Sequence, residues 1–200
     1  MNIAVFASTK GTDLQAIIDA IQSGRLPGVD LKFVLSNRQD CYALARAAQA
    51  GIKTFFVNPQ DEGGRLRTRE DFDRFCLKIC RDERIDVIVL IGYMRIISPV
   101  LIVAFPQRIM NIHPSLLPKY PGMDLDVHQA VLTNKEKESG CTLHWVTNEL
   151  DAGPIIIQEK VPIAEGETVD SLKAKIQLKE QAVILQGLEM CRDGLLKNEE

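Results

Sequence analysis

No apolar run in the chain approaches the roughly 18 residues that a membrane-crossing helix needs, so no membrane span is expected. The dinucleotide fingerprint Gly-x-Gly-x-x-Gly is missing. Net charge is only -3, which argues against a strongly basic, nucleic-acid-coating surface. Histidine is scarce, and His113, His128 and His144 are too dispersed for their spacing to suggest a metal site. The five cysteines, Cys41, Cys76, Cys80, Cys141 and Cys191, are odd in number and irregularly spaced. That pattern reads as reduced thiols, not as a disulfide framework. Cys76 and Cys80 would share one helix face, but further ligands for a zinc clamp are not evident. Repeats, low-complexity stretches and linkers are also missing. The first residues read as a strand and not as a signal peptide, so a cytoplasmic location is the expectation.

What is present is ordinary for a globular protein: 46% hydrophobic and 26% charged residues over a length of 200. That length suits one domain and suffices for a sizeable core. Residues 2–7 form a short apolar run that reads as a buried parallel strand. A polar turn, Ser8-Thr9-Lys10-Gly11-Thr12-Asp13, leads into an amphipathic helix with Leu14, Ile17, Ile18 and Ile21 on one face. Thr12 or Asp13 is the expected N-cap. A strand, a glycine-containing loop and a helix N-terminus together suit an anion, although a plain strand-to-helix turn explains the pattern equally well. The alternation continues with strands at 31–35 and 53–57, an alanine-rich helix at 42–50 and a surface loop at 58–65. A helix at 68–82 has Phe72, Phe75, Cys76 and Ile79 as its expected inner face, and a strongly apolar strand follows at 86–91. Alternating strands and helices predict an α/β fold with a doubly wound, mostly parallel sheet. Ligands of such sheets bind beyond the carboxyl ends of the strands, where Gly11, residues 92–95 and residues 111–113 all fall. Past Gly122 the pattern predicts a short helix at 124–132 and antiparallel strands at 141–147 and 154–161. A long C-terminal helix over 168–191, capped by Thr168, has Val169, Leu172, Ile176 and Val183 facing inward. Residues 197–200 are expected to be loose.

The most informative stretch is 111–122. It follows an apolar run at 108–110 that reads as a strand, and Pro114, Pro118 and Pro121 then forbid a helix or a central strand. Asn111 and His113 are two residues apart at a strand end and can converge on one spot. A neutral donor beside a titratable one suits a carbonyl oxygen that becomes negative. A polar strand end with a capping Asn and a surface His is the alternative reading of the same spacing.

Three motifs carry a resemblance: residues 92–99, Gly-Tyr-Met-Arg-Ile-Ile-Ser-Pro; residues 111–118, Asn-Ile-His-Pro-Ser-Leu-Leu-Pro; and Gly140 through His144 to Asp151-Ala152-Gly153-Pro154. With these in this order, the chain resembles the glycinamide ribonucleotide formyltransferases, folate-dependent enzymes of purine synthesis. The resemblance covers nearly all of residues 1–195. It implies a single domain over 1–200, with a nucleotide-binding half to about residue 106 and a folate-binding, catalytic half from about 107. It implies a formyl transfer from 10-formyltetrahydrofolate to the primary amine of 5′-phosphoribosylglycinamide, with Asn111, His113 and Asp151 as the catalytic trio. Gly11, Thr12 and Asp13 match the substrate-phosphate loop, and Glu180 a contact to the nucleotide end. Arg69 matches an arginine near the folate glutamate, and Met94, Arg95, Ile96, Ile97 and Asn111 match the folate site. No metal is implied. The partners expected are a ribonucleotide amine and a reduced folate, without nucleic acid or membrane, in a monomer or homodimer.

Two departures stand out. The family's first loop usually reads Ser-Gly-x-Gly-Ser-Asn, and this one has lost a glycine and carries Asp13 in place of the Asn. A carboxylate repels a phosphate unless Lys10 or a capping role compensates, which opens the alternative of another acceptor such as a sugar-nucleotide amine. The segment 122–129 is about one residue longer than expected, so His128 need not correspond to the family's histidine there. Methionyl-tRNA formyltransferase would require a C-terminal barrel and formyltetrahydrofolate hydrolase an N-terminal regulatory domain, neither of which this sequence suggests. A non-catalytic nucleotide-binding module is the remaining alternative, and the retained trio argues against it.

Overall fold

The computed structural model describes residues 1–122 and 127–196. Its strands are β1 (Asn2–Ala7), β2 (Asp30–Ser36), β3 (Lys53–Phe56), β4 (Val87–Ile91), β5 (Ile109–His113), β6 (Glu138–Trp145) and β7 (Ile155–Pro162). Its helices are α1 (Thr12–Gln22), α2 (Tyr42–Gln49), α3 (Arg69–Asp82), α4 (Pro99–Ala104), α5 (Val127–Thr133) and α6 (Val169–Arg192). The strand order is β3-β2-β1-β4-β5-β6-β7. Two compact units divide the chain, Met1–Met110 and Asn111–Glu200.

In the first unit β1 pairs in parallel with β2 and β4, and β2 with β3. The continuous apolar runs of β1 and β4 are what a strand covered on both faces requires, and both are buried along almost their full length. Phe6 packs against Phe33 and meets Tyr93 edge-on at 5.5 Å between ring centres. The helix expected at 68–82 starts where Thr68 accepts from Asp71 N. Its inner face differs from the expectation, being Phe72, Asp73, Cys76, Leu77 and Cys80, while Phe75 is 47% exposed. Both sets fit a 3.6-residue period, and the choice between them turns on the α3–α4 packing, which the periodicity of α3 alone does not contain. Helix α4 was not expected. Its six residues are too few to show a period, and only Ser98 followed by Pro99 at the first helical position marks it. None of the five cysteines is in a disulfide, and burial pushes the Cys80 thiol up to about 12, which leaves it inert.

In the second unit β6 and β7 pair antiparallel, as expected. Seven of the eight β6 residues are buried, while β7 is mostly half-exposed. Helix α6 presents Leu172, Ile176, Val183, Ile184 and Leu188 as its buried face, and Val169 is only half-buried. It begins in a capping box between Thr168 and Ser171. The expected helix at 124–132 overlaps α5, but its first three residues lie outside the described residues, as does the expected loose end at 197–200.

Gly140 fixes the closeness of β6 to β7: a Cβ there would stand 2.0 Å from the Glu159 carbonyl oxygen. Backbone cannot swing aside as a side chain can. Gly140→Ala is therefore expected to lower stability by at least ~1–3 kcal/mol, read from urea unfolding, and an unchanged midpoint would contradict this packing.

Candidate active site

Strand β5 runs on to His113, three residues past the apolar run at 108–110, because Pro114 ends the ladder only after it. Asn111 and His113 thus keep strand spacing and point the same way. The chain then folds back irregularly. Ser115 Oγ donates to Lys119 O at 2.6 Å. Tyr120 takes a left-handed backbone conformation (φ 56°) that brings its carbonyl to within 2.8 Å of His113 Nε2. A carbonyl only accepts, so Nε2 carries the proton and Nδ1 is directed to the remaining partner, Asp151 Oδ2, at 3.6 Å.

Asp151 comes from the loop joining β6 and β7. That loop closes tightly, with Trp145 N donating to Pro154 O at 2.9 Å, and a Cβ on Gly153 would lie 1.8 Å from the Trp145 carbonyl oxygen. Asp151 itself is left-handed (φ 52°), a conformation that Asp tolerates better than most residues. Its Oδ2 accepts from Gly122 N at 2.8 Å, and its Oδ1 lies 3.5 Å from Asn111 Nδ2 and 3.6 Å from His144 Nε2. His144 donates from Nδ1 to Trp145 O at 3.0 Å, which leaves Nε2 as acceptor for Asn111 Nδ2, also at 3.0 Å. The Asn111 amide is thereby oriented with its NH₂ group toward His144 and Asp151.

His144 was not assigned a role from the sequence, although it lies within one of the matched motifs. The available signal was the two-residue period of β6, which puts Thr142 and His144 on the same face. Among the described residues no group of three His, Cys, Asp or Glu side chains is arranged to hold a metal ion.

The two ionisable partners respond to burial in opposite ways. Burial is the largest influence on His113 and lowers its pKa from the ordinary 6.5, outweighing the Tyr120 carbonyl and Asp151, which raise it. The neighbouring carboxylate alone would raise the value, and the desolvation of a nearly buried ring reverses that. For Asp151 burial also opposes charge, but His144, Gly122 N and His113 outweigh it, and the carboxyl titrates below 3.8. Near neutrality the pair is therefore a neutral imidazole beside a carboxylate, a base whose conjugate acid has a counterion waiting. Because the folded pKa of His113 is depressed, the unfolded chain takes up that proton first, and acidification through 6.5 removes stability. The imidazole proton resonances of His113 should titrate with a midpoint below 6.5, and in Asp151→Asn the midpoint should fall further, since a raising influence is lost. A midpoint above 6.5, or an upward move in the variant, would contradict the burial argument.

Gly11, not Thr12 or Asp13, is the N-cap of α1, because the turn is left-handed there (φ 65°) and a Cβ would meet Ala43 at 2.7 Å. Thr12 and Asp13 open α1, with Asp13 buried. Arg69 is the exposed first residue of α3, and Met94, Arg95, Ile96 and Ile97 form an irregular segment after β4. All of these belong to the first unit. Glu180 belongs to the second, buried along α6.

A formyl transferase family model matches residues 1–188. The phosphoribosylglycinamide formyltransferase of Escherichia coli K12 is 42% identical over 200 residues, covering 100% of this chain and 91% of that one. The solved structure of the Coxiella burnetii phosphoribosylglycinamide formyltransferase superposes with a TM-score of 0.91 at 38% identity, over 100% of this chain and 90% of the other. For glycinamide ribonucleotide transformylase 1 from Symbiobacterium toebii the values are 0.89 and 37%, over 100% and 91%. With the family model spanning nearly the whole sequence and an amide, two imidazoles and a carboxylate gathered at the end of β5, the chain belongs to the formyl transferase family.

Proposed function

We propose that the chain transfers the formyl group of 10-formyltetrahydrofolate to the primary amine of 5′-phosphoribosylglycinamide, a step of purine biosynthesis. The observation that carries this reading is the gathering of Asn111, His113 and Asp151, with full-length similarity to enzymes of that name in support. The amine nitrogen attacks the formyl carbon, and the carbonyl π electrons move onto oxygen. An Asn111 N–H donates to that oxyanion as it forms. His113 Nδ1 accepts a proton from the attacking nitrogen, and the resulting imidazolium is stabilised by Asp151 at 3.6 Å. Collapse of the tetrahedral centre reforms the carbonyl and breaks its bond to the folate nitrogen. That nitrogen takes the proton held on His113, and tetrahydrofolate leaves. His144 Nε2 accepts one Asn111 N–H and so fixes the amide, and the other N–H, 3.5 Å from Asp151 Oδ1, is the one that turns to the oxyanion.

In the first unit, the backbone N–H groups at Gly11, Thr12 and Asp13 bind the substrate phosphate, and Lys10 offsets the Asp13 carboxylate. Glu180 contacts the nucleotide end. Met94, Arg95, Ile96 and Ile97 bind the pterin, and Arg69 the glutamate of the folate. Among the described residues no helix is long and apolar enough to cross a membrane. The enzyme works in the cytoplasm as a monomer or homodimer.

The buried Asp13 carboxylate, in the helix turn that would face a phosphate, favours a second acceptor class, a sugar-nucleotide amine. A formyl-transfer assay with both amines separates the two: turnover with phosphoribosylglycinamide and none with the sugar nucleotide is expected, and the reverse would overturn the assignment. With both substrates saturating, Asn111→Ala should lose ~10²–10³-fold in kcat, the usual effect of removing one oxyanion donor, and near-normal turnover would remove Asn111 from this role.

A further inference from the structure

Asp73 takes no part in the chemistry above, yet its carboxylate is held at 2% exposure inside the first unit. Ionisable groups are that deeply buried only when something holds them. What holds Asp73 is the end of the segment after β4: Ser98 N donates to Asp73 Oδ2 at 2.6 Å. The preceding residue on α3, Phe72, carries the Arg95 guanidinium over its ring at 4.0 Å. At the other end, Met94 N donates to Ser8 Oγ at 2.9 Å, Ser8 N donates to Gly92 O at 3.1 Å, and Tyr93 packs edge-on against Phe6. A stretch without regular secondary structure is thus pinned at both ends and near its middle. Between the pins, Met94 and Ile96 stand 38% and 39% exposed, two large apolar side chains two residues apart.

An irregular segment left to itself samples many conformations, and ordering it on ligand binding weakens affinity. Fixing it beforehand removes that cost. We infer that Asp73 is a positioning residue for folate binding: through Ser98 N it holds residues 94–97 in the conformation that receives the folate. This inference rests on the reading, proposed above, that those residues bind the folate. Burial raises the Asp73 carboxyl above the ordinary carboxylate range, against the lowering effects of Ser98 and of Arg95. A protonated carboxyl would still accept from Ser98 N through its carbonyl oxygen, so the role depends on an acceptor at that point and not on charge. A residue that merely capped α4 through Ser98 would affect stability without favouring one substrate.

The test compares Asp73→Asn, which keeps an acceptor, with Asp73→Leu, which has similar size and none. In Asp73→Leu the KM for 10-formyltetrahydrofolate should rise about tenfold, and calorimetric binding of tetrahydrofolate should weaken equally, while kcat at saturating folate and KM for the amine stay within about twofold. Asp73→Asn should stay near the parent in all four quantities. If Asp73→Leu does not fold, Asp73→Glu, whose oxygens are displaced by one methylene, replaces it with the same expectation. An unchanged folate KM overturns the inference, and so does a joint decline of kcat and both KM values in the Asn and Leu variants alike. Met94→Glu and Ile96→Glu separate the two readings. If they leave the folate KM unchanged, the folate assignment of the segment fails and the inference with it. If they raise it and Asp73→Leu does not, the positioning role fails alone.

Discussion

Asp151 accepts from Gly122 N with one oxygen and faces Asn111 and His144 with the other, and it does so from a left-handed turn between two antiparallel strands. Asn111, His113 and His144 are arranged around that carboxylate. A buried carboxylate is stable only with donors around it, and here the donors are the Gly122 N–H and the Asn111 amide. The tight return of the chain at Gly153, where no Cβ fits, delivers the carboxylate to the end of β5. Fold and site are coupled at this point through the closeness of two backbones.

Competition between desolvation and charge sets the protonation of the site. A carboxylate 3.6 Å away favours an imidazolium, but the nearly complete burial of His113 disfavours it more. The outcome is a neutral ring beside a carboxylate that would stabilise its imidazolium form. An imidazole already protonated near neutrality could accept no further proton, so burial keeps the ring basic with the Asp151 carboxylate beside it.

The first unit solves a different problem by the same means. Its loops after parallel strands carry backbone groups that have left the sheet ladder. Side chains supply the missing partners: Ser8 Oγ for Met94 N, Ser36 Oγ for Arg38 N, Asp73 for Ser98 N. Loops of this kind are stiff without being regular, which suits the binding of small ligands.

The sequence alone determined the α/β alternation, the buried parallel strands, the β6–β7 hairpin and the Thr168 cap, because apolar periodicity and capping chemistry are local. It also pointed to Asn111 and His113, through a strand period of two stopped by proline. It could not decide which face of α3 is buried, since Phe75 and Leu77 fit the helical period equally and only packing chooses. Nor could it give the short α4, the left-handed cap at Gly11 or the orienting role of His144, each fixed by neighbours distant in sequence. The sign of the His113 shift was the least legible, because it depends on how much water the assembled fold removes from the ring. Only tertiary structure decides that quantity.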